Sequence, residues 1–273
     1  MEQEIKIRNY GFKNPVITPD QYVLGGNELP DIVLREDGQY NDYLPLYEPQ
    51  AEKYESWGCT VWGSQNAIEI LHKFLFNVEP NYSERYNYIL AGINEGGGDP
   101  HISIETMRLQ GLINQELLPI PDTYEEFKKP NPMEEKYLAE GRKFLTEYEI
   151  KHKWVLQGKE TKEDRIKTLK ENLKYSPIGV SVSAWTQSED IYIDGGLPNN
   201  HWCVCYGWTD KGWKIFDSYD HSKKIYSFDS EILFAKRVLL KKKDFYPAVA
   251  KQTNWVSDLI ISFFRFLKAI IKK

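Results

Sequence analysis

Asn200-His201-Trp202-Cys203-Val204-Cys205-Tyr206-Gly207-Trp208 is the most informative stretch of the chain, and the next apolar run, Trp213 to Phe216, leads directly into Asp217-Ser218-Tyr219. The first run is a strand candidate that follows the turn-like Gly195-Gly196-Leu197-Pro198-Asn199-Asn200. A histidine at a strand start beside a loop can face a cleft while its strand stays in the core. If the two runs pair as adjacent antiparallel strands, Asp217 comes beside His201. A carboxylate in that place fixes the imidazole tautomer and stabilises its cation.

The third member of this set lies far upstream. Cys59 follows Trp57-Gly58 and opens a run in which Gly63, Ala67, Ile70, Leu71 and Phe74 recur at helical spacing, predicting a helix over 59–76. The unpaired N–H groups at a helix start and a nearby imidazolium both favour the thiolate, which is the reactive form of cysteine. Cysteine, histidine and aspartate in this order form a nucleophile, a base and an orienting group.

Around these residues the chain changes character. Residues 1–45 are rich in Pro, Gly, Asn and Asp and read as an extended arm packed on the domain. Further helices are expected over 83–93, 134–149 and 161–175, the last with Thr161 and Asp164 resembling a capping box, and a short one from a Ser103 cap to Gln110. Glu95-Gly96-Gly97-Gly98-Asp99-Pro100 must be a loop. Strands are expected over 177–184, 201–208, 213–216 and 237–240. Helices first and strands later imply an α+β fold with segregated halves.

Four segments carry a family resemblance. They are Gln50 with Trp57-Gly58-Cys59-Thr60-Val61-Trp62, Gly96-Gly97-Gly98 with the later Gln110-Gly111-Leu112 and Leu118-Pro119, Ser176 to Val182, and Asn200 to Trp208 followed by Asp217-Ser218-Tyr219. Over roughly 45–245 the chain resembles the papain-like cysteine peptidases. The resemblance implies a helical half bearing Cys59, a twisted antiparallel β half bearing His201 and Asp217, and an active cleft between them. It also implies Gln50 as the oxyanion donor and a cleft bordered by Gly97, Gly98, Asn200 and Trp185. The family usually has its glutamine where Lys53 stands, so Gln50 requires a longer loop. Asp217 replaces the family's commoner asparagine, and either side chain accepts the imidazole N–H. The family's disulfide cysteines and long inhibitory propeptide have no counterpart, so neither secretion nor latency is expected.

The implied activity is peptide-bond hydrolysis through a Cys59 thioester. Two alternatives share the residues: a cell-wall (peptidoglycan) amidase or endopeptidase, and an inactive interaction module that keeps the fold. No cofactor is implied. Cys203 and Cys205 alternate along a strand as core residues do, rather than with the spacing of zinc ligands. The triple glycine lacks the lysine and the preceding strand of a phosphate loop.

The bulk numbers are ordinary for a globular protein. Among 273 residues, 41% are apolar and 27% charged, with a net charge of −5 and no clustered basic face for nucleic acid. Three cysteines cannot build a disulfide framework, and Met1 to Tyr10 has no signal-peptide core, so a cytoplasmic location is expected. Residues 246–273 read as a linker and an amphipathic helix. Its segment 255–271 is rich in Phe and Ile and cationic towards its end, and suits either an anionic membrane surface or docking on this chain or a second copy.

Overall fold

The computed structural model describes residues 8–18, 32–129, 134–219 and 223–243. The expected tail helix over 255–271, and Asp220 and His221, which the sequence places in a surface loop, lie outside these. Among the described residues no helix is long and apolar enough to cross a membrane.

Among the described residues, six α-helices come first or between strands: α1 (Cys59–Phe76), α2 (Glu84–Leu90), α3 (Pro100–Gln110), α4 (Tyr124–Phe127), α5 (Glu135–Glu147) and α6 (Lys162–Leu173). The strands are β1 (Tyr148–Gln157), β2 (Ile178–Val182), β3 (Thr186–Ser188), β4 (Ile191–Ile193), β5 (His201–Trp208), β6 (Gly212–Phe216), β7 (Lys223–Ser227) and β8 (Phe234–Lys242). They form one sheet in the order β1-β8-β2-β5-β6-β7-β4-β3, with β5 antiparallel to both β2 and β6. The expected α+β architecture is therefore present.

Helix α1 is the spine of the helical half. Every residue from Cys59 to His72 is buried, because one side of the helix packs on the other helices and the opposite side on β5. The helix closes with Asn77 in the left-handed region (φ 53°), whose N–H donates to the Lys73 carbonyl. The alternation of β5 sorts its residues between two cores. Val204 and Tyr206 join Ile68, Ile70 and Leu71 of α1, whereas Cys203 and Cys205 join Val180, Ile215 and Leu173 on the other face.

Two local expectations are corrected. Helix α3 begins at Pro100, capped by Asp99, whose carboxylate accepts from the His101 N–H at 2.7 Å. Proline suits the first helical position because its missing N–H would have had no intrahelical partner. Ser103 lies inside the helix and donates to Thr60 Oγ1 at 2.9 Å, tying α3 to α1. Strand β1 was not anticipated. Its alternating burial is carried by Ile150, His152, Trp154 and Leu156, and two of those four are polar or amphipathic, which hides the period.

A buried polar chain joins the halves. Lys236 of β8 donates to His152 Nδ1 at 2.9 Å, and His152 Nε2 donates to Glu105 of α3 at 2.9 Å. Arg108 grips the same carboxylate at 2.8 and 2.6 Å. Burial pushes His152 down to about 4 and Lys236 down to about 7. Burial alone would raise Glu105, but the hydrogen bonds from Arg108 and His152 bring it to about 2.

Because the folded state holds His152 neutral, its contribution to stability is complete above the unfolded value near 6.5 and is lost as pH falls towards about 4. One proton corresponds to at most about 1.4 kcal/mol per pH unit. Urea unfolding of the native protein and of His152→Gln between pH 7 and 4 should show a steeper acid-side loss in the native protein. Parallel curves would exclude the histidine as the cause.

Candidate active site

Cys59 reaches its place through a turn shaped by its own side chains. Glu55 Oε1 accepts from the Trp57 N–H at 2.9 Å and Ser56 Oγ from the Gly58 N–H at 3.2 Å. Trp57 adopts φ 54°, a left-handed conformation costly for a bulky residue. Gly58 then caps α1, and Cys59 is its first residue. The thiol is wholly buried in a cluster with Phe12, Trp154 and Trp202.

The helix-start argument predicts a depressed thiol pKa, and the structure corrects it. Burial pushes Cys59 well above the ordinary cysteine value, opposed by backbone groups of Trp202 and Thr60 and reinforced by the charges of Asp217 and Glu55. Desolvation penalises the charged form more than the helix end favours it.

His201 is the first residue of β5 and is also fully buried. Its Nε2 meets Asp217 Oδ1 at 2.5 Å, while Nδ1 is buried with no hydrogen-bond partner. Asp217 follows β6 directly, so the antiparallel β5–β6 pairing delivers the contact foreseen from sequence. The ring is enclosed by Tyr10, Trp185 and Tyr219 at centroid distances of 5.3, 5.7 and 5.5 Å.

Lys224 was not anticipated. Its ammonium, almost wholly buried, donates to Asp217 Oδ2 at 2.7 Å and to the Tyr219 carbonyl at 2.6 Å. Burial pushes the Asp217 carboxyl up, but His201 and Lys224 more than offset this, and it stays below its usual value. In sequence nothing separates Lys224 from the exposed Lys223 beside it. Only the strand's two-residue alternation, once β7 is known, turns one of them inward.

Gln50 is buried, and its backbone N–H donates to the Ser218 carbonyl at 3.0 Å. Ser218 Oγ donates to Gln50 Oε1 at 2.7 Å, leaving the amide nitrogen to donate to the Tyr10 carbonyl at 3.3 Å. Lys53, at the commoner family position, points outward and pairs with Asp122 at 2.6 Å. Asn200 accepts from the Ala184 N–H at 2.8 Å and donates to the Arg8 carbonyl at 3.1 Å. Gly98 lies along the arm, donating from its N–H to the Gly11 carbonyl, and Gly97 holds φ 82° beside Gly11. Among the described residues no three His, Cys, Asp or Glu side chains converge as metal ligands.

By sequence, no family model matches this chain and no curated protein does. Its structure nonetheless matches solved cysteine proteases. A clostridial cysteine protease, Cwp84, after propeptide cleavage superposes with a TM-score of 0.57 at 15% identity over 74% of this chain. The match spans 56% of the Cwp84 chain, little more than half its length. Bromelain protease from Ananas comosus gives 0.51 at 13% identity, over 74% of this chain and 98% of that one. Procathepsin L 3 from Tenebrio molitor gives 0.53 at 10%, over 77% and 73%. The fold is that of the papain-like cysteine proteases.

Lys224 changes what replacement of Asp217 should do. Asparagine can still accept from His201, but it leaves the buried ammonium without its counter-charge. Removing one partner of a buried pair typically costs about 3–5 kcal/mol. Asp217→Asn should therefore lower stability by that order in denaturant titration, and adding Lys224→Met should recover much of the loss. A single variant as stable as the native protein would contradict this.

Proposed function

We propose that this chain is a cysteine peptidase that hydrolyses peptide bonds through a thioester on Cys59. The observation that carries the reading is His201, buried with Nε2 fixed on Asp217 and Nδ1 without a hydrogen-bond partner. That is the arrangement a general base needs, because one nitrogen is committed to orientation and the other is available for the proton. Cys59 packs against Trp202, the residue after this histidine.

The chemistry then follows from the residues. His201 Nδ1 takes the Cys59 proton as Sγ attacks the substrate carbonyl. The developing oxyanion is met by the Gln50 amide N–H and by the Cys59 backbone N–H, one of the helix-start donors without an intrahelical acceptor. Ser218 serves by holding the Gln50 carbonyl oxygen, so that the NH2 group faces the oxyanion. The imidazolium, stabilised by Asp217, returns its proton to the leaving amine. Water, deprotonated by the same nitrogen, then cleaves the thioester.

Turnover of a fluorogenic peptide library checks the assignment. Cys59→Ala should abolish cleavage. His201→Ala should cost about 10²–10⁴ in rate. Gln50→Ala should lower kcat by about 10²–10³ with KM little changed, because its bond to the oxyanion strengthens only in the transition state. Cleavage that survives Cys59→Ala would refute the reading. Clearing of bacterial cell walls without cleavage of any library peptide would replace it with the peptidoglycan alternative.

A further inference from the structure

Two neighbouring depressions flank the loop that carries Gln50. The larger, about 340 Å³, has apolar walls from Leu46, Tyr54, Trp62, Ile120 and Phe127. A cavity of that size accepts one bulky side chain together with the backbone that bears it. Leu46 is 62% exposed, so this depression opens to solvent. The smaller, about 300 Å³, is bordered by Ala51, Ser218, Tyr219 and Arg8. Tyr47, Pro49 and Glu52 border both, so the two share one rim. That rim lies on the loop where this chain departs from the family it resembles. Gln50 stands three residues ahead of Lys53, and the added length brings Glu52, Lys53 and Tyr54 to the larger depression.

The smaller depression begins at the catalytic residues. The Tyr219 ring lies 5.5 Å from that of His201, and Ser218 holds the Gln50 side chain at 2.7 Å. His201 returns its proton to the leaving amine, so the leaving part of a substrate departs on the histidine's side. It then passes Tyr219 and Ser218 into the smaller depression. Crossing the shared rim brings it to the larger, apolar one. Charge along this path is unbalanced. Arg8 is paired with Glu55 at 3.2 Å and Lys53 with Asp122 at 2.6 Å. Glu48 accepts from the neutral Asn81 amide at 3.0 Å. Glu52, exposed on the shared rim, has no hydrogen-bond or ion-pair partner among the described residues. A free carboxylate beside an apolar pocket favours a cationic group on whatever crosses it.

We propose that the two depressions form a docking surface for the leaving-side segment of a peptide or protein substrate. A lysine or arginine of that segment lies at Glu52, and a bulky apolar residue further along it fills the pocket of Leu46, Tyr54, Trp62, Ile120 and Phe127. The proposal rests on the catalytic reading of Cys59 and His201. The continuous rim, open to solvent and starting beside the histidine, suits an extended chain better than a small molecule held in one pocket. Burial of the apolar anchor supplies most of the affinity, while the exposed charge discriminates by sign and sets the register.

The test uses the full chain and a fluorogenic peptide library randomised on the acyl side. On the leaving side each peptide carries lysine or glutamate, followed by phenylalanine or serine at successive positions. Phenylalanine should raise kcat/KM about tenfold or more over serine at its best position. Lysine should exceed glutamate by about threefold. Glu52→Lys, a change at an exposed side chain, should reverse the charge preference. The double variant Leu46→Ser, Ile120→Ser should remove most of the phenylalanine preference. Both variants should cleave peptides lacking the leaving-side extension as fast as the native protein. If native kcat/KM ignores the leaving-side sequence, or if either preference survives its variant, the docking surface is overturned and the peptidase reading stands. Fluorescence anisotropy of the same peptides with Cys59→Ala gives a readout without cleavage. If the native protein cleaves nothing, yet lysine–phenylalanine peptides bind Cys59→Ala more tightly and adding Glu52→Lys reverses the charge preference, the docking surface stands and the peptidase reading fails.

Discussion

The close approach of helix α1 to strand β5 is the constraint on which the site depends. Gly63 faces the Trp202 side chain and the Cys203 backbone so tightly that a Cβ would sit 2.9 Å from Trp202 Cδ1. A glycine one turn into the helix lets the strand come near, and the first residue of the helix then lies against the residue after His201. Gly179 of β2 makes the matching allowance on the other side of the Trp202 indole. Both halves of the molecule are thus fitted around one tryptophan. Helix α1 and strand β5 thus bring Cys59 against Trp202, the residue next to His201, without a long or mobile side chain.

Burial governs the electrostatics of this junction. His201, Asp217 and Lys224 form a line of three titratable groups with almost no solvent exposure, and each charge is tolerable because the next compensates it. A neutral asparagine, which would orient the histidine in the absence of Lys224, does not balance this site. Ser218, between Asp217 and Tyr219, turns to hold Gln50, so three consecutive residues after β6 serve the histidine, the amide and the Arg8–Glu55 contact. The same exclusion of water pushes the Cys59 thiol up, so the reactive anion is disfavoured.

The sequence by itself determined the elements and their chemistry. A glycine-spaced apolar run opened by Cys59 is a helix because its pattern has a period near 3.6. The runs from His201 and from Trp213 are strands because they are short, aromatic or β-branched and bounded by turns. The order of Cys59, His201 and Asp217 along the chain points to a nucleophile, a base and an orienter. Tertiary structure alone decided the partnerships. The ammonium of Lys224 and the carboxylate of Asp217 meet because β7 pairs with β6, and strand alternation faces Lys224 inward. Strand β1 is recognisable only once His152 is seen to be held by Lys236 and Glu105, since a buried histidine breaks the apolar period. The irregular arm shows no pattern because its order comes from hydrogen bonds and ring contacts made one residue at a time with distant elements. Local sequence encodes periodicity and capping, whereas the environment that sets a thiol's charge exists only after residues far apart in sequence have excluded water between them.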